Sequence, residues 1–478
     1  MKTLISFVLL VLSLSNIYAQ NKKPNILYIL VDQWRASASG YAGDKNVISP
    51  NLDRLASESM NLKNAISGTP VCTPHRASLM TGQYPLTNGV FMNDVLLDTN
   101  NITIAKVYKN NNYATGFVGK WHIDGHGRNS YIPPTRRQGF GFWMANECSH
   151  DYNNSPYYTG ESNKKMIWNG YDAIAQTEDV IKYIKKQATE PNPFLLFLSI
   201  GSPHDPYQTA PEKYRKMYEN KQFIINENVP VANREKVKKD LVGYYSHITA
   251  IDDCIGKMWQ TLKDLGIDEN TIIVFSSDHG DLLGSHGSWN KQQPYEESIR
   301  VPFMIHYPQA FGKKGKISNA LLNSPDIMPT LLGLSNIPIP KTVEGIDFSG
   351  VLKGTKKDNV KQTLISCSQP FGQWNRKMGG KEYRGIVNQQ YTYVRDLQGP
   401  WLLFDNLKDP FQLNNLIGKS EYQSLQKKLN ADLNSELKKR KDEFLPGKEY
   451  IKKWNYLVDE SETVPYVKVN YEGKPIVE

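Results

Sequence analysis

Three apolar runs constrain most of what this chain can become. Residues 25–31 (NILYILV), 194–200 (FLLFLSI) and 271–275 (TIIVF) are continuous hydrophobic stretches of strand length. They lack the alternation of a half-exposed strand and read as strands covered on both faces, as in a parallel sheet. Between them lie stretches of helical periodicity at 51–58, 103–109, 172–186 and about 237–265. In the last, Leu241, Tyr245, Ile248, Ile251, Ile255, Met258 and Leu262 recur at helical spacing before Gly266 stops the helix. Strands alternating with helices predict an α/β fold with a large, mostly parallel or mixed sheet flanked by helices. Beyond a polar stretch at 354–358, short strand-like segments at 383–387, 391–395 and 401–404 precede a charged helix over about 420–440. These predict a smaller α+β C-terminal domain with an antiparallel sheet. The expected division is 20–355 for the large α/β domain and 356–478 for the C-terminal subdomain, within a chain of 478 residues.

The N-terminus reads as an address. Met1-Lys2-Thr3 is a short basic start, residues 4–14 are apolar, and Tyr18-Ala19 before Gln20 offers a small-residue cleavage point. Residues 1–19 are therefore expected to be a secretory signal peptide, giving a periplasmic or extracellular protein. No later segment approaches the roughly 20 uninterrupted apolar residues of a membrane span, and no Cys follows the cleavage point to carry a lipid, so no stable membrane anchor is expected. The four cysteines, Cys72, Cys148, Cys254 and Cys367, are scattered, and their pairing stays open at this level. Cys254, within a helical pattern, reads as a small buried residue. The formal charge of +9 is spread along the chain without a basic run; nucleic acid is not an expected partner, and a mildly positive surface suits the collection of polyanions. No internal repeat argues for a solenoid.

Polar residues at the C-terminal ends of buried parallel strands are where α/β proteins place their sites. Asp32-Gln33 ends the first run, His204-Asp205 follows the second, and Asp278-His279-Gly280 follows the third. Each alone has an ordinary explanation as a cap or a hydrogen-bonded loop residue. Together, carboxylates, an amide and imidazoles match a hard divalent cation beside an anionic substrate; oxygen ligands favour calcium or magnesium, and one imidazole leaves manganese open.

Residues 71–82, VCTPHRASLMTG, carry the most specific pattern. Cys72-Thr73-Pro74-His75-Arg76, with the trailing Leu79-Met80-Thr81-Gly82, resembles the signature of the formylglycine-dependent sulfatases of the alkaline phosphatase superfamily, although His75 stands where that family commonly has a small residue. Three further segments resemble the family in its own order: residues 112–125 with Gly119-Lys120-Trp121-His122, residues 202–206 with Pro203-His204, and residues 277–280 with Asp278-His279, followed by Lys291. The tail over 403–416 is similar to the family's C-terminal strand and turn, so the resemblance spans roughly 24–417.

The resemblance implies an alkaline phosphatase-like fold and hydrolysis of sulfate esters. It implies that Cys72 is converted to formylglycine by a formylglycine-generating or sulfatase-maturating enzyme, and that its hydrated aldehyde supplies the nucleophile. One divalent metal ion, Ca2+ first and Mg2+ or Mn2+ as alternatives, is expected at Asp32, Gln33, Cys72, Asp278 and His279. Arg76 is expected to orient the nucleophile, Lys120 and Lys291 to bind sulfate oxygens, His204 to protonate the leaving alcohol, and His122 to deprotonate the second hydroxyl so that sulfate is expelled. The sequence departs from the commonest pattern at Gln33 and His279, a combination also similar to the phosphonate monoester hydrolases of the same superfamily; Lys120 and His122 favour sulfate. A phosphoester hydrolase is the rival reading, and a non-catalytic glycan-binding relative a third, which the intact Cys72 and metal ligands oppose. The predicted substrate is a sulfated polysaccharide or oligosaccharide: an algal glycan such as ulvan or carrageenan, or a glycosaminoglycan. Trp34, Arg35, Asn93, Asp94, His126, Arg136, Arg137, Trp374, Asn375 and Arg376 are candidates to line the cleft, and Cys72 is expected to lie outside the hydrophobic cores.

Overall fold

A computed structural model describes residues 23–465; the expected signal segment 1–19 lies outside the described residues. The apolar runs form β1 (Asn25–Asp32), β7 (Phe194–Pro203) and β8 (Thr271–Ser277). The other strands are β2 (Met60–Leu62), β3 (Ala114–Lys120), β4 (Phe142–Asn146), β5 (Pro156–Thr159), β6 (Met166–Ile167), β9 (Phe303–His306), β10 (Lys316–Ser318), β11 (Gln362–Cys367), β12 (Tyr383–Asn388), β13 (Tyr391–Asp396) and β14 (Gly399–Asp405). The large sheet has ten strands in the order β10-β2-β9-β8-β1-β7-β3-β4-β5-β6. Its centre, β8 through β4, is parallel, while β9, β5 and β6 pair antiparallel with their neighbours, so the sheet is mixed.

Alternate residues of β1 feed two separate cores. Ile26, Tyr28 and Leu30 pack on one face, with Leu195 and Phe197 of β7; Leu27, Ile29 and Val31 pack on the other, with Leu196 and Leu198. That two-faced burial is why the runs contain almost no polar residue. Helices α1 (Pro50–Ala56), α3 (Asp172–Gln187) and α4 (Arg234–Asp264) cover the second face, whereas α2 (Cys72–Thr81) contributes Ala77, Leu79 and Met80 to the first. The predicted helices are present, with ends displaced by a few residues.

The smaller sheet is antiparallel in the order β11-β12-β13-β14. One face takes Leu429, Leu433 and Leu437 of α5 (Gln423–Lys439), a stripe at four-residue spacing; the other packs Ile365, Tyr383 and Val394 against Ile66 and Ile299 of the large domain. The two domains are thus joined through an apolar seam. Eight strands, β2 to β6 and β9 to β11, do not stand out as strands in the sequence. β3 is interrupted by Gly116 and Gly119, which dilute the strand signal. Gly119 has φ +104°, and a Cβ there would sit 2.1 Å from the Ser199 carbonyl oxygen, so the glycine before Lys120 is required for β3 to pass β7 closely.

Candidate active site

The polar ends of four parallel strands converge at one edge of the sheet. β1 delivers Asp32 and Gln33, β3 delivers Lys120 and then His122, β7 runs into His204, and β8 runs into Asp278 and His279. The pairing of β1 with β7 shifts register between Val31 and Asp32, an irregularity that re-aims the side chains leaving the strand. Gln33 (φ 68°) and His122 (φ 58°) adopt the left-handed conformation, uncommon for non-glycine residues and concentrated at functional sites. Facing these ends, α2 begins at Cys72, and one turn later on the same face stands Arg76. Every residue of α2 is buried, Cys72 at 1% exposure. The helix gives Ala77, Leu79 and Met80 to the core, whereas Cys72 joins none of the hydrophobic clusters and faces the polar strand ends.

Ligand atoms of Asp32, Cys72, Asp278 and His279 lie within 4.8 Å of one another. His279 Nε2 is 3.1 Å from Cys72 Sγ and 3.5 Å from an oxygen of each aspartate. Its Nδ1 is 2.9 Å from the Gly280 carbonyl, to which it must donate, leaving the Nε2 lone pair aimed into the cluster, as a metal-bound histidine requires. Buried carboxylates, a soft-to-neutral Cys position and one oriented imidazole fit a divalent cation. Gln33 presents its amide oxygen to Lys291 Nζ at 2.8 Å and donates from Nε2 to Asp281 at 2.8 Å.

Arg76 holds the carboxylates together. Its Nη2 is 2.8 Å from Asp278 and 3.0 Å from Asp32, its Nε is 3.1 Å from Asp278, and Nη1 donates to the Ser199 hydroxyl and the Lys120 carbonyl at 2.6 and 3.0 Å. Lys120 Nζ adds a 2.7 Å ion pair to Asp32 and lies 4.0 Å from Cys72 Sγ. Burial works against charge on Asp32, but Lys120, His204, His279 and Arg76 together hold it well below the usual carboxylate range. Burial, with Asp32 alongside, pushes the Cys72 thiol up to about 12; as a cysteine it is un-ionised and a poor nucleophile.

Two further histidines have assignable tautomers. His204 Nδ1 is 2.7 Å from the Asp205 carbonyl, so its Nε2 accepts from Lys291 Nζ at 2.6 Å. Burial and the Lys291 charge hold His204 well below the usual imidazole range. The His150 ring stacks on it with centroids 4.4 Å apart. His122 Nε2 donates to Asp94 at 3.0 Å, and its buried Nδ1 has no partner, an acceptor waiting for a proton. Asp94 is fixed in turn by the two-pronged Arg128 at 2.8 Å. His75, by contrast, turns away: Ser324 and Ser67 hydroxyls lie 2.9 and 3.1 Å from its Nδ1, and burial pushes it down to about 3.

Cys72, Lys120, His122, His204 and Lys291 open onto one cleft of 720 Å³. Of the candidates for its walls, Asn93, Asp94 and Trp374 line it. The others do not: Trp34 is in the core, Arg35 faces another depression, Arg136 pairs with Asp124, and Arg376 pairs with Glu382 and Glu462. Arg137 donates to the Ile132 carbonyl, Asn375 caps the turn at Met378, and His126 lies beside Asp124. Residues that sequence reasoning misses are Arg128, His150, Trp289, Phe371 and Met378; none carries a local signal, because they enter from four separate loops. The four cysteines are buried and unpaired, and no described helix is long and apolar enough to cross a membrane.

Residues 24–337 match the Sulfatase family model, and 284–440 match that for the N-sulphoglucosamine sulphohydrolase C-terminal region. The chain is 47% identical over 454 residues to an ulvan-active sulfatase of Formosa agariphila, covering 94% of this chain and 88% of the relative. It is 29% identical over 456 residues to an endo-4-O-sulfatase of Bacteroides thetaiotaomicron, covering 83% and 88%. Among solved structures, the sulfatase yidJ of Bacteroides fragilis aligns with a TM-score of 0.81 at 30% identity, covering 90% of this chain and 99% of that one. The phosphonate monoester hydrolase of Agrobacterium radiobacter shares the fold, with a TM-score of 0.70 at 22% identity and coverage of 86% and 95%. With carboxylates and imidazoles at the strand ends, a buried Cys-to-Arg helix and a matching chain on this scale, the protein belongs to the sulfatase family of the alkaline phosphatase superfamily and is a sulfuric ester hydrolase.

Proposed function

We propose that the protein is an exported, formylglycine-dependent and metal-assisted sulfatase acting on a sulfated glycan, with ulvan the first substrate to test and carrageenan and glycosaminoglycans the alternatives. The observation that carries the chemical part is the convergence of Asp32, Cys72, Asp278 and His279 within 4.8 Å, with Cys72 opening onto a cleft that Lys120 and Lys291 also line. The ulvan-active relative, 47% identical over nearly the whole chain, supports the substrate. The segment 1–19 supports export, and maturation requires a formylglycine-generating partner.

Asp32, Gln33, Asp278, His279 and the residue derived from Cys72 would hold a divalent cation, Ca2+ first, whose charge when bound polarises a sulfate oxygen and favours ionisation of the nucleophilic hydroxyl. Formylglycine at position 72 supplies that hydroxyl as a geminal diol. Arg76, locked between Asp32 and Asp278, keeps the helix N-terminus and the strand ends in register. Lys120 and Lys291, themselves buried in the wall of the cleft, put positive charge where the sulfate oxygens gain negative charge. Lys291 Nζ and His204 Nε2, 2.6 Å apart, share the proton that goes to the departing alcohol. His122 Nδ1, unpartnered and oriented by Asp94, takes the proton of the remaining diol hydroxyl, which lets sulfate leave without attack of water on sulfur.

The decisive experiment is mass spectrometry of the Cys72 peptide after co-expression with a maturation enzyme, followed by measurement of free sulfate from a panel of sulfated oligosaccharides. Loss of sulfur with gain of an aldehyde and release of sulfate from an ulvan oligosaccharide are expected. An unmodified, active Cys72 removes the formylglycine reading; preferential cleavage of a phosphonate monoester moves the chain to the rival chemistry.

A further inference from the structure

The described chain does not stop at the C-terminal sheet. After a helix at Gly447–Trp454, residues 456–464 return to the catalytic domain. The Tyr456 hydroxyl donates to the Gly89 carbonyl at 2.7 Å, and Val464 is buried in the core that holds Ile26 and Tyr28. Between these anchors a turn is tied by Asp459, whose Oδ1 accepts the backbone N–H groups of Ser461 and Thr463 at 2.8 and 3.1 Å. Glu462 within it has φ 57°, a conformation a glutamate takes up only when its surroundings hold it.

That segment grips one wall of the cleft. Glu462 Oε2 accepts from Arg376 Nε at 2.9 Å and from Gln369 Nε2 at 2.8 Å, and Thr463 Oγ1 accepts the Gly372 N–H at 3.2 Å. Arg376 reaches a second carboxylate, Glu382, through Nη1 and Nη2 at 2.7 and 2.6 Å, and Glu382 also takes the Gly447 N–H at 2.7 Å. Residues 371–378 are therefore pinned from both sides. This loop lines the cleft with a 62% exposed Met378 and with the edges of Phe371 and Trp374, otherwise buried at 5% and 6% exposure, and Trp289 adds a second indole. None of the groups that handle sulfate lies on it; those come from the strand ends, α2 and the segment carrying Lys291.

We propose that Glu462 is a positioning residue for glycan recognition: through Arg376 it fixes the 371–378 loop so that its aromatic and apolar side chains receive the sugar next to the sulfated one. The proposal rests on the glycan reading above. A small ester, which fills only the floor of the cleft, has no use for the loop; an oligosaccharide, whose pyranose faces are apolar, needs that wall in place. Arg376, an apparent sulfate ligand by residue type, acts here as the strut.

The test compares Glu462→Ala and the near-isosteric Glu462→Gln with the parent and with Glu460→Ala, an exposed neighbour, using matured enzyme. Steady-state kinetics are measured on 4-nitrophenyl sulfate and on a sulfated ulvan oligosaccharide. For Glu462→Ala, KM for the oligosaccharide is expected to rise at least fivefold with kcat within twofold, while kcat/KM for the aryl sulfate stays within twofold. Glu462→Gln, which keeps an acceptor for Arg376, is expected to recover part of the KM, and it carries the test if the alanine variant does not fold. An oligosaccharide KM unchanged in both variants, or an equal loss on both substrates, overturns the proposal. A parent enzyme that cleaves the aryl sulfate but no sulfated oligosaccharide overturns the glycan reading and this proposal with it.

Discussion

Replacing Arg76 with lysine keeps the charge and removes the fork, so Arg76→Lys isolates what the guanidinium geometry contributes. The native side chain makes five hydrogen bonds, three of them to the carboxylates of Asp32 and Asp278, and all are buried. A lysine ammonium has three donors and cannot lie flat between two carboxylates. At least two charge-assisted bonds are lost, each worth about 1.5 kcal/mol or more, so the variant should lose about 3 kcal/mol, below the upper range of about 5 kcal/mol for a fully broken buried ion pair. The measurement is urea unfolding followed by circular dichroism in the presence of chelator, with the loss taken from the shift of the midpoint at unchanged slope. A loss under about 1 kcal/mol would show that the fork is not what ties α2 to the ends of β1 and β8, and would refute the structural reasoning.

Three other perturbations follow from the same geometry. His204→Ala should reduce turnover of alkyl or sugar sulfates more than of activated aryl sulfates, because a good leaving group needs no proton; equal losses on both classes contradict the acid role. Asp94→Asn removes the carboxylate that fixes the His122 tautomer and should lower kcat by about 10-fold to 100-fold with a smaller change in KM; an unchanged kcat would exclude His122 as the base. His247, buried on α4 with its pKa pushed down from 6.5 to about 3, is neutral in the folded chain. Below pH 6.5 the unfolded chain gains a proton that the folded one refuses, so stability falls as pH drops from 6.5 toward 3. His247→Gln should flatten that acid limb by about 1.5 kcal/mol between pH 6.5 and pH 5, and parallel limbs in parent and variant would contradict it.

The legibility of the fold varies element by element. β1, β7 and β8 stand out because both faces are covered, and a polar residue at the end of such a run is conspicuous; that is why Asp32, His204, Asp278 and His279 are visible without coordinates. β3 is obscured by the same Gly119 that lets it pass β7, so Lys120 is recognisable only from the surrounding motif. Ser199 looks like a small residue inside an apolar run, and its role as an acceptor for Arg76, 123 positions away, exists only because the fold brings α2 beside β7.

Cleft walls are the least legible part. Trp34 and Arg35 have the residue types of a sugar site, yet Trp34 packs edge-on to Phe275 and Arg35 faces away from the cleft. Arg128 reaches Asp94 across 34 positions, and Glu462 reaches Arg376 across 86. Hydrophobic period and strand-end polarity are local properties, written in neighbouring residues, and they determine the α/β fold and the candidates at the strand ends, Asp32, Gln33, His204, Asp278 and His279; Cys72, Arg76, Lys120, His122 and Lys291 are legible only through the motifs that resemble the family. Which loops meet over the cleft, which arginines are struts, and where the last described segment returns are settled by packing, because the deciding partner lies outside the local pattern, as Glu462 does for Arg376.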